Sequence, residues 1–255
     1  MLYNPYSLEN KTILVTGASS GIGRMTAIEC SKLGANVIIT ARSEERLSLV
    51  MDALDTINGQ QHQMLIAELD TDDGLKSLLE KIGEIDGISS NVGIALGSTP
   101  IKFIKNEVIE KVLQVNTFSQ VRLIRDLFKM KKLKKNSSIV ITSSVGGVTA
   151  FNVGNSIYGM SKAALDSFMK FCAVDFASRG IRCNSVCPGM IETPMNNGDG
   201  TLNEEDYNKD KEHYLLKRYG KPEEVALTTA FLLSDASSFI TGVSLRVDGG
   251  LSLIR

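Results

Sequence analysis

Tyr158 and Lys162 stand four residues apart in the stretch 142–162, TSSVGGVTAFNVGNSIYGMSK. It holds a Ser-Ser pair at the expected end of a strand, a glycine-rich crossing and the start of a long amphipathic segment. On a helix, a four-residue spacing stacks both side chains on one face. A phenol ordinarily loses its proton near pH 10, and an adjacent ammonium favours the phenolate and lowers that value. Such a pair can exchange a proton with a reacting oxygen near neutral pH. Tyr-x-x-x-Lys by itself also describes an exposed tyrosine beside a solvated lysine on many ordinary helices, so the elements around it must decide.

Residues 11–16 (KTILVT) read as a short buried strand that runs into Gly17-Ala-Ser-Ser-Gly21-Ile-Gly23. Helical periodicity follows through Ala27, Ile28 and Leu33, and Gly34 closes the helix. Strand, glycine turn and helix start make an anion site, because unpaired N–H groups and the positive helix end point at one spot. One glycine permits the tight turn, one the approach of a diphosphate, and one the close packing of helix on strand. The next strand, 36–40, ends at Ala41-Arg42-Ser43. Dinucleotide folds place a carboxylate for the adenosine ribose about 20 residues past the loop, whereas this chain offers Arg42. A guanidinium binds a 2′-phosphate that a carboxylate would repel, so NADP(H) is favoured over NAD(H). Glu44 and Glu45 follow, in the first turn of a helix, where the dipole accounts for them.

Helices are expected over 47–57, 72–82, 106–129, 156–178 and 222–233, and strands over 63–69, 87–90, 138–142, 181–187 and 244–247. Strands and helices alternate at βαβ spacing, which calls for a parallel sheet covered on both faces. Ligands of such sheets sit beyond the carboxyl ends of the strands, where Asn91, Ser144 and Pro188-Gly189 fall. Asn116 lies inside the expected helix 106–129, where a polar side chain facing solvent or bonding the backbone is the plain reading. The polar segment 196–211 reads as a mobile loop, with a substrate lid at about 195–215. Lys129, Lys131, Lys132, Lys134 and Lys135 suit a helix C-terminus, and docking of an acidic partner is the sharper alternative.

The chain has 255 residues, 43% of them hydrophobic, and a net charge of −1. That is enough for a large core in one domain spanning 1–255, and it gives no reason to expect nucleic acid or a membrane surface. No signal peptide or long apolar run is present, so the expected location is cytoplasmic. Cys30, Cys172, Cys183 and Cys187 read as buried reduced thiols. Cys183 and Cys187 would lie roughly 13 Å apart on a strand, beyond disulfide reach. With two histidines in the chain, no metal site is expected.

Taken together, TGASSGIG at 16–23, Asn91-Val92-Gly93, Val115-Asn116, the Ser144 region, YGMSK at 158–162, PGMIETPM at 188–195 and the segment 220–250 resemble the short-chain dehydrogenase/reductase family over essentially the whole chain. The resemblance implies a single-domain, Rossmann-type doubly wound α/β fold with a parallel sheet of about seven strands and helices on both faces. It implies reversible hydride transfer between a nicotinamide and a carbonyl or secondary alcohol. Tyr158 would be the general acid or base, Lys162 would hold the nicotinamide ribose and lower the Tyr158 pKa, Ser144 would hydrogen-bond the substrate oxygen, and Asn116 would support a water chain to Lys162. Gly17, Ser19, Ser20, Gly21, Ile22 and Gly23 would cradle the diphosphate, and Arg42 and Ser43 the 2′-phosphate. Glu68 and Leu69 would lie near adenine, and Asn91 and Gly93 along the adenosine ribose. Pro188, Gly189, Ile191 and Thr193 would meet the nicotinamide amide and the diphosphate.

Three positions depart from the family pattern. Ser90-Asn91-Val92-Gly93 replaces Asn-Asn-Ala-Gly, Ser144 stands one residue further from Tyr158 than is usual and leaves Ser143 a minor candidate, and Glu68 replaces the common aspartate. Within the family the likeness is greatest to 3-oxoacyl-(acyl carrier protein) reductases, with the lysine run and Arg179 as a surface for an acidic carrier. A reductase of sugars or other secondary-metabolite carbonyls is an alternative, and a non-catalytic NADP(H)-binding protein is another. A homotetramer joined through the helices at 106–129 and 156–178 is the expected assembly.

Overall fold

Three consecutive residues, Ile13, Leu14 and Val15, are completely buried, which a strand achieves when both faces of its sheet are covered. They form the centre of β1 (Thr12–Thr16) in the computed structural model, which describes residues 4–195 and 204–253. The chain continues through α1 (Gly21–Lys32), β2 (Asn36–Ala41), α2 (Glu44–Met51), β3 (Gln63–Ile66), α3 (Asp72–Lys81), β4 (Ile85–Ser90), α4 (Asn106–Leu113) and α5 (Ser119–Lys129). There follow β5 (Leu133–Thr142), α6 (Val145–Val148), α7 (Ser156–Asp175), β6 (Arg182–Pro188), α8 (Glu204–Lys211), α9 (Pro222–Leu233) and β7 (Ser244–Val247). Seven parallel strands lie in the order β3-β2-β1-β4-β5-β6-β7. The Rossmann-type doubly wound sheet expected from the sequence is the one observed.

Strand residues alternate between two cores. Ile13, Val15, Val37, Ile39 and Val140 pack with α1, α2 and α9, whereas Leu14, Ile38, Ile139 and Ile141 pack with α3, α5 and α7. Each fully buried aliphatic side chain contributes about 1.5–3 kcal/mol. α7 is further tied to β6 by Asp166, which accepts from Ser185 Oγ at 2.6 Å and from Lys170 Nζ at 2.9 Å. Strand order reverses between β1 and β4, and this switch point opens a crevice at the carboxyl ends of the strands.

Several boundaries differ from the sequence expectation. α2 begins earlier and ends at Met51, because Ser43 caps it by accepting from Arg46 N at 3.4 Å. β3 ends at Ile66 rather than residue 69. β5 begins at Leu133, so the lysine run leads into a strand, where Lys134 pairs with Asp86 at 2.9 Å. α7 ends at Asp175, and a 3-10 turn leads to the left-handed Gly180, φ 69°. The helix expected over 106–129 is interrupted by a π turn, Gln114–Phe118, in which Ser119 N–H bonds to Gln114 O five residues back. Within it Asn116 is completely buried, which overturns the solvent-facing reading. Of the expected lid, 204–211 is helical as α8, while 196–203 lies outside the described residues.

Candidate active site

A cavity of about 900 Å³ fills the crevice, within the size range of small-molecule and cofactor sites. At its β1 end the backbone makes the cradle. Gly17 has φ +62°, and a Cβ there would lie 3.2 Å from the Asn91 carbonyl carbon. A Cβ on Gly23 would collide with the Gly17 carbonyl oxygen. Ser20, the N-cap of α1, makes no side-chain capping bond, which leaves first-turn N–H groups for an anion. Thr193 closes this corner, with its methyl 3.2 Å from where a Cβ of Gly21 would stand. The donor set and the backbone clearance fit a dinucleotide diphosphate.

Arg42 lies just past the end of β2, its side chain 62% exposed and Nη1 3.9 Å from Glu68 Oε1. Glu68 is outside the cavity lining, while Leu69 and Asp70 are part of it. Burial works to raise the Asp70 carboxyl, but the 2.9 Å bond from Lys111 and the field of Arg42 hold it below the usual value. Asn91 forms a brace at the switch point: its Nδ2 donates to Thr16 O at 3.1 Å, and its Oδ1 accepts from Thr142 Oγ1 at 2.7 Å. One side chain thereby joins the ends of β1, β4 and β5.

Ser143 and Ser144 differ in their partners. Both serines line the cavity, but Ser143 is buried with its Oγ engaged, donating to Lys162 O at 3.0 Å, whereas Ser144 is more open and accepts from Gly146 N at 3.1 Å. Tyr158 lies in the first turn of α7 and opens into the same space, near enough to Ser144 to feel its hydroxyl. Burial pushes the Tyr158 phenol up, and the nearby Ser144 hydroxyl only partly offsets this. Lys162 Nζ donates to Thr142 O at 2.8 Å and lies 5.9 Å from the centre of the Tyr158 ring. Burial brings the Lys162 ammonium down to about 8. The phenol is therefore raised by burial instead of lowered as expected from the lysine, and Tyr158 is neutral at pH 7.

A family model described as enoyl-(acyl carrier protein) reductase matches residues 17–252. The chain belongs to the short-chain dehydrogenase/reductase family. This short-chain dehydrogenase/reductase is 36% identical over 248 residues to the 3-oxoacyl-[acyl-carrier-protein] reductase FabG of Thermotoga maritima, covering 96% of this chain and 98% of the relative. It is 33% identical over 250 residues to glucose 1-dehydrogenase of Gluconobacter oxydans, covering 95% and 92%. The crystal structure of levodione reductase matches with a TM-score of 0.88 at 28% identity, covering 97% of this chain and all of the other. The short-chain dehydrogenase/reductase is accordingly an enzyme, an oxidoreductase of carbonyl and alcohol groups.

The cavity brings together Gly17, Ser19, Ser20, Gly21, Ile22, Gly23, Arg42, Ser43, Leu69, Asn91, Gly93, Ser144, Tyr158, Lys162, Pro188, Gly189, Ile191 and Thr193. Glu68 and Asn116 stand outside the lining. Asn116 works from behind it: Nδ2 donates to Ile94 O at 2.9 Å and Ser161 Oγ at 3.0 Å, and Oδ1 accepts from Ile94 N at 2.7 Å. Sequence reasoning missed Arg46, Asp70 and Asn155, which also line the cavity. Asn155 directly precedes α7 and stands three residues before Tyr158, a spacing that could have signalled it. Among the described residues there is no helix long and apolar enough to cross a membrane and no cluster of metal-ligating side chains.

Proposed function

We propose that this chain is a single-domain NADPH-dependent carbonyl reductase. The observation that carries this reading is the convergence of the Ser144–Tyr158 pair, the glycine cradle and Arg42 in one cavity. Bound NADPH supplies the hydride. Tyr158, neutral and close to Ser144, donates the proton to the substrate oxygen, and Ser144 holds that oxygen as charge develops. Lys162 orients the nicotinamide ribose beside the phenol. Asn116, placed behind Gly93 near Lys162, supports the water chain that returns protons. Ile191, Thr193, Pro188 and Gly189 line the nicotinamide side, and Arg42 with Ser43 holds the 2′-phosphate. Arg46 reinforces that positive end.

For the substrate, we favour a 3-oxoacyl thioester. Loops 94–104 and 150–154 are joined at the mouth of the cavity by Thr99 N donating to Gly154 O at 3.0 Å and Ser98 Oγ donating to Val153 O at 3.1 Å. They carry the exposed apolar side chains Leu96, Ile101, Phe103, Phe151 and Val153, suited to an acyl arm. Arg179 Nη2 donates to Leu133 O at 2.5 Å, so it joins the lysine run at the start of β5, a surface that suits an acidic carrier. Exposed Phe118, Phe171 and Val174 on the helices at 106–129 and 156–178 support a tetramer. A sugar or other polar carbonyl is the second reading, favoured by Asn152 and Asn155 in the cavity and by the glucose 1-dehydrogenase likeness. The test is NADPH oxidation with 3-oxoacyl thioesters of increasing length beside a sugar panel. Turnover that improves with chain length is expected. Faster turnover of sugars would replace the substrate assignment, and NADPH binding without turnover of any carbonyl would favour a binding-only protein.

A further inference from the structure

Gly93 has little room. A Cβ built on it would stand 3.2 Å from Lys162 Nζ and 3.6 Å from Asn116 Oδ1, so the position of this wall relative to the lysine is narrowly defined. What defines it lies behind the cavity, on the helix that contains the π turn. On the downstream side of Gly93, the Asn116 amide bonds both main-chain groups of Ile94, as described above. On the upstream side, Gln120, 1% exposed, donates from Nε2 to Val92 O and to Asn116 O, each at 2.7 Å. Its Oε1 accepts from Ser90 Oγ at 2.7 Å, and Ser90 is completely buried.

The π turn makes this possible. Widening the helix loosens the ordinary ladder, and side chains four residues on bond two successive carbonyls: Ser119 Oγ takes Val115 O at 2.6 Å, and Gln120 Nε2 takes Asn116 O. Two amides one helical turn apart thus bracket Gly93. A glutamine suits the upstream position because one planar group donates twice and accepts once. Glutamate in its ionised form cannot donate, and methionine of similar size can do neither.

We propose that Gln120, supported by Ser90, is a positioning residue that sets the Val92–Gly93 wall against Lys162 and thereby shapes the site for the nicotinamide half of the cofactor. This rests on the cofactor-binding reading above. Ser90 acts only through Gln120, so the two form one unit.

The experiment measures dissociation constants for NADPH and for 2′,5′-ADP, which lacks the nicotinamide half, on wild type, Gln120→Met, Ser90→Ala and the double variant. Gln120→Met is expected to weaken NADPH at least ~10-fold and 2′,5′-ADP less than about twofold, because buried groups lose partners beside Lys162 and not beside Arg42. Ser90→Ala alone should weaken NADPH about threefold and add nothing to Gln120→Met, as expected for members of one network. NADPH binding by Gln120→Met within twofold of wild type, equal weakening of both ligands, or additive effects of the two substitutions would overturn the proposal. If Gln120→Met does not fold, Ser90→Ala carries the test, and unchanged NADPH affinity there would overturn it. Absence of cofactor binding by the wild type would defeat the reading of the site and this inference with it, whereas wild-type binding with unaffected variants would defeat the inference alone.

Discussion

Arg42→Ala should separate the two nicotinamide cofactors. The Arg42 side chain is 62% exposed and its ion-pair partner, Glu68, lies 3.9 Å away and is 49% exposed, so little holds it back from a phosphate. A charge-assisted bond to a charged group is worth about 1.5–3 kcal/mol when well made. Solvent screening at this exposure reduces that to roughly 1–2 kcal/mol, which corresponds to about a 5- to 30-fold loss in NADPH affinity. NADH has no 2′-phosphate and should change by less than about twofold by the same argument. Removing Arg42 also leaves the Glu68 carboxylate uncompensated beside the phosphate, Asp70 keeping Lys111, so Glu68→Gln in the Arg42→Ala background should restore part of the loss. Fluorescence titrations with both cofactors, at low and high salt, measure this, and the NADPH-specific gap should narrow as salt screens the exposed charges. Equal weakening of NADPH and NADH would refute the assignment of Arg42 to the 2′-phosphate.

Two further substitutions test the proton-handling groups. Tyr158→Phe should keep NADPH affinity within about twofold while turnover falls ~10²- to 10⁴-fold, the usual contribution of a positioned acid; unchanged turnover would remove Tyr158 from that role. Lys162→Met should abolish turnover yet stabilise the fold at neutral pH. The Lys162 pKa drops from 10.5 to about 8 because burial disfavours the ammonium. Below about 8 the folded protein carries the whole cost of the buried charge, roughly 3 kcal/mol by linkage. Between about 8 and 10.5 the unfolded chain holds more protons than the folded one, so stability from this group rises with pH and the cost disappears. Loss of the Lys162–Thr142 bond returns about 1 kcal/mol, leaving a net gain near 2 kcal/mol, or a rise of roughly 4–8 °C in Tm at pH 7. Thermal melts of both proteins at pH 7 and pH 10 should show that advantage shrinking; an unchanged gap would mean that Lys162 is not buried as a charge.

Much of the site was legible because its signals are local. The glycine turn after β1, the Tyr158–Lys162 pitch on α7 and the strand ends at Asn91, Ser144 and Gly189 each depend on a few adjacent residues. What escaped depends on chain segments far apart. Apolar periodicity runs through both α4 and α5, which concealed the π turn between them and the burial of Asn116 within it. Gln120 reads as any polar helix residue without its partners, Ser90 at the end of β4 and Val92 just beyond it. The end of β3 at Ile66 leaves Leu69 and Asp70 in the cavity and Glu68 out of it. Spacing alone left Ser143 and Ser144 open, and their partners distinguish them: Ser143 is tied through N–H to Val186 O of β6 and through Oγ to Lys162 O, while Ser144 turns to cap α6.

Tyr158 occupies the third position of a helix 20 residues long. The peptide dipoles of α7 therefore place their positive end near the oxygen that becomes anionic once the phenol has given up its proton. That field favours the phenolate by about 0.3–1 kcal/mol, rising toward ~2 where solvent is partly excluded. Unlike the Lys162 ammonium, whose charge fades above pH 8, peptide groups do not titrate, so this support persists at any working pH. In the alcohol-oxidising direction, which begins from the phenolate, the helix would lend its field to the base when the lysine has become neutral.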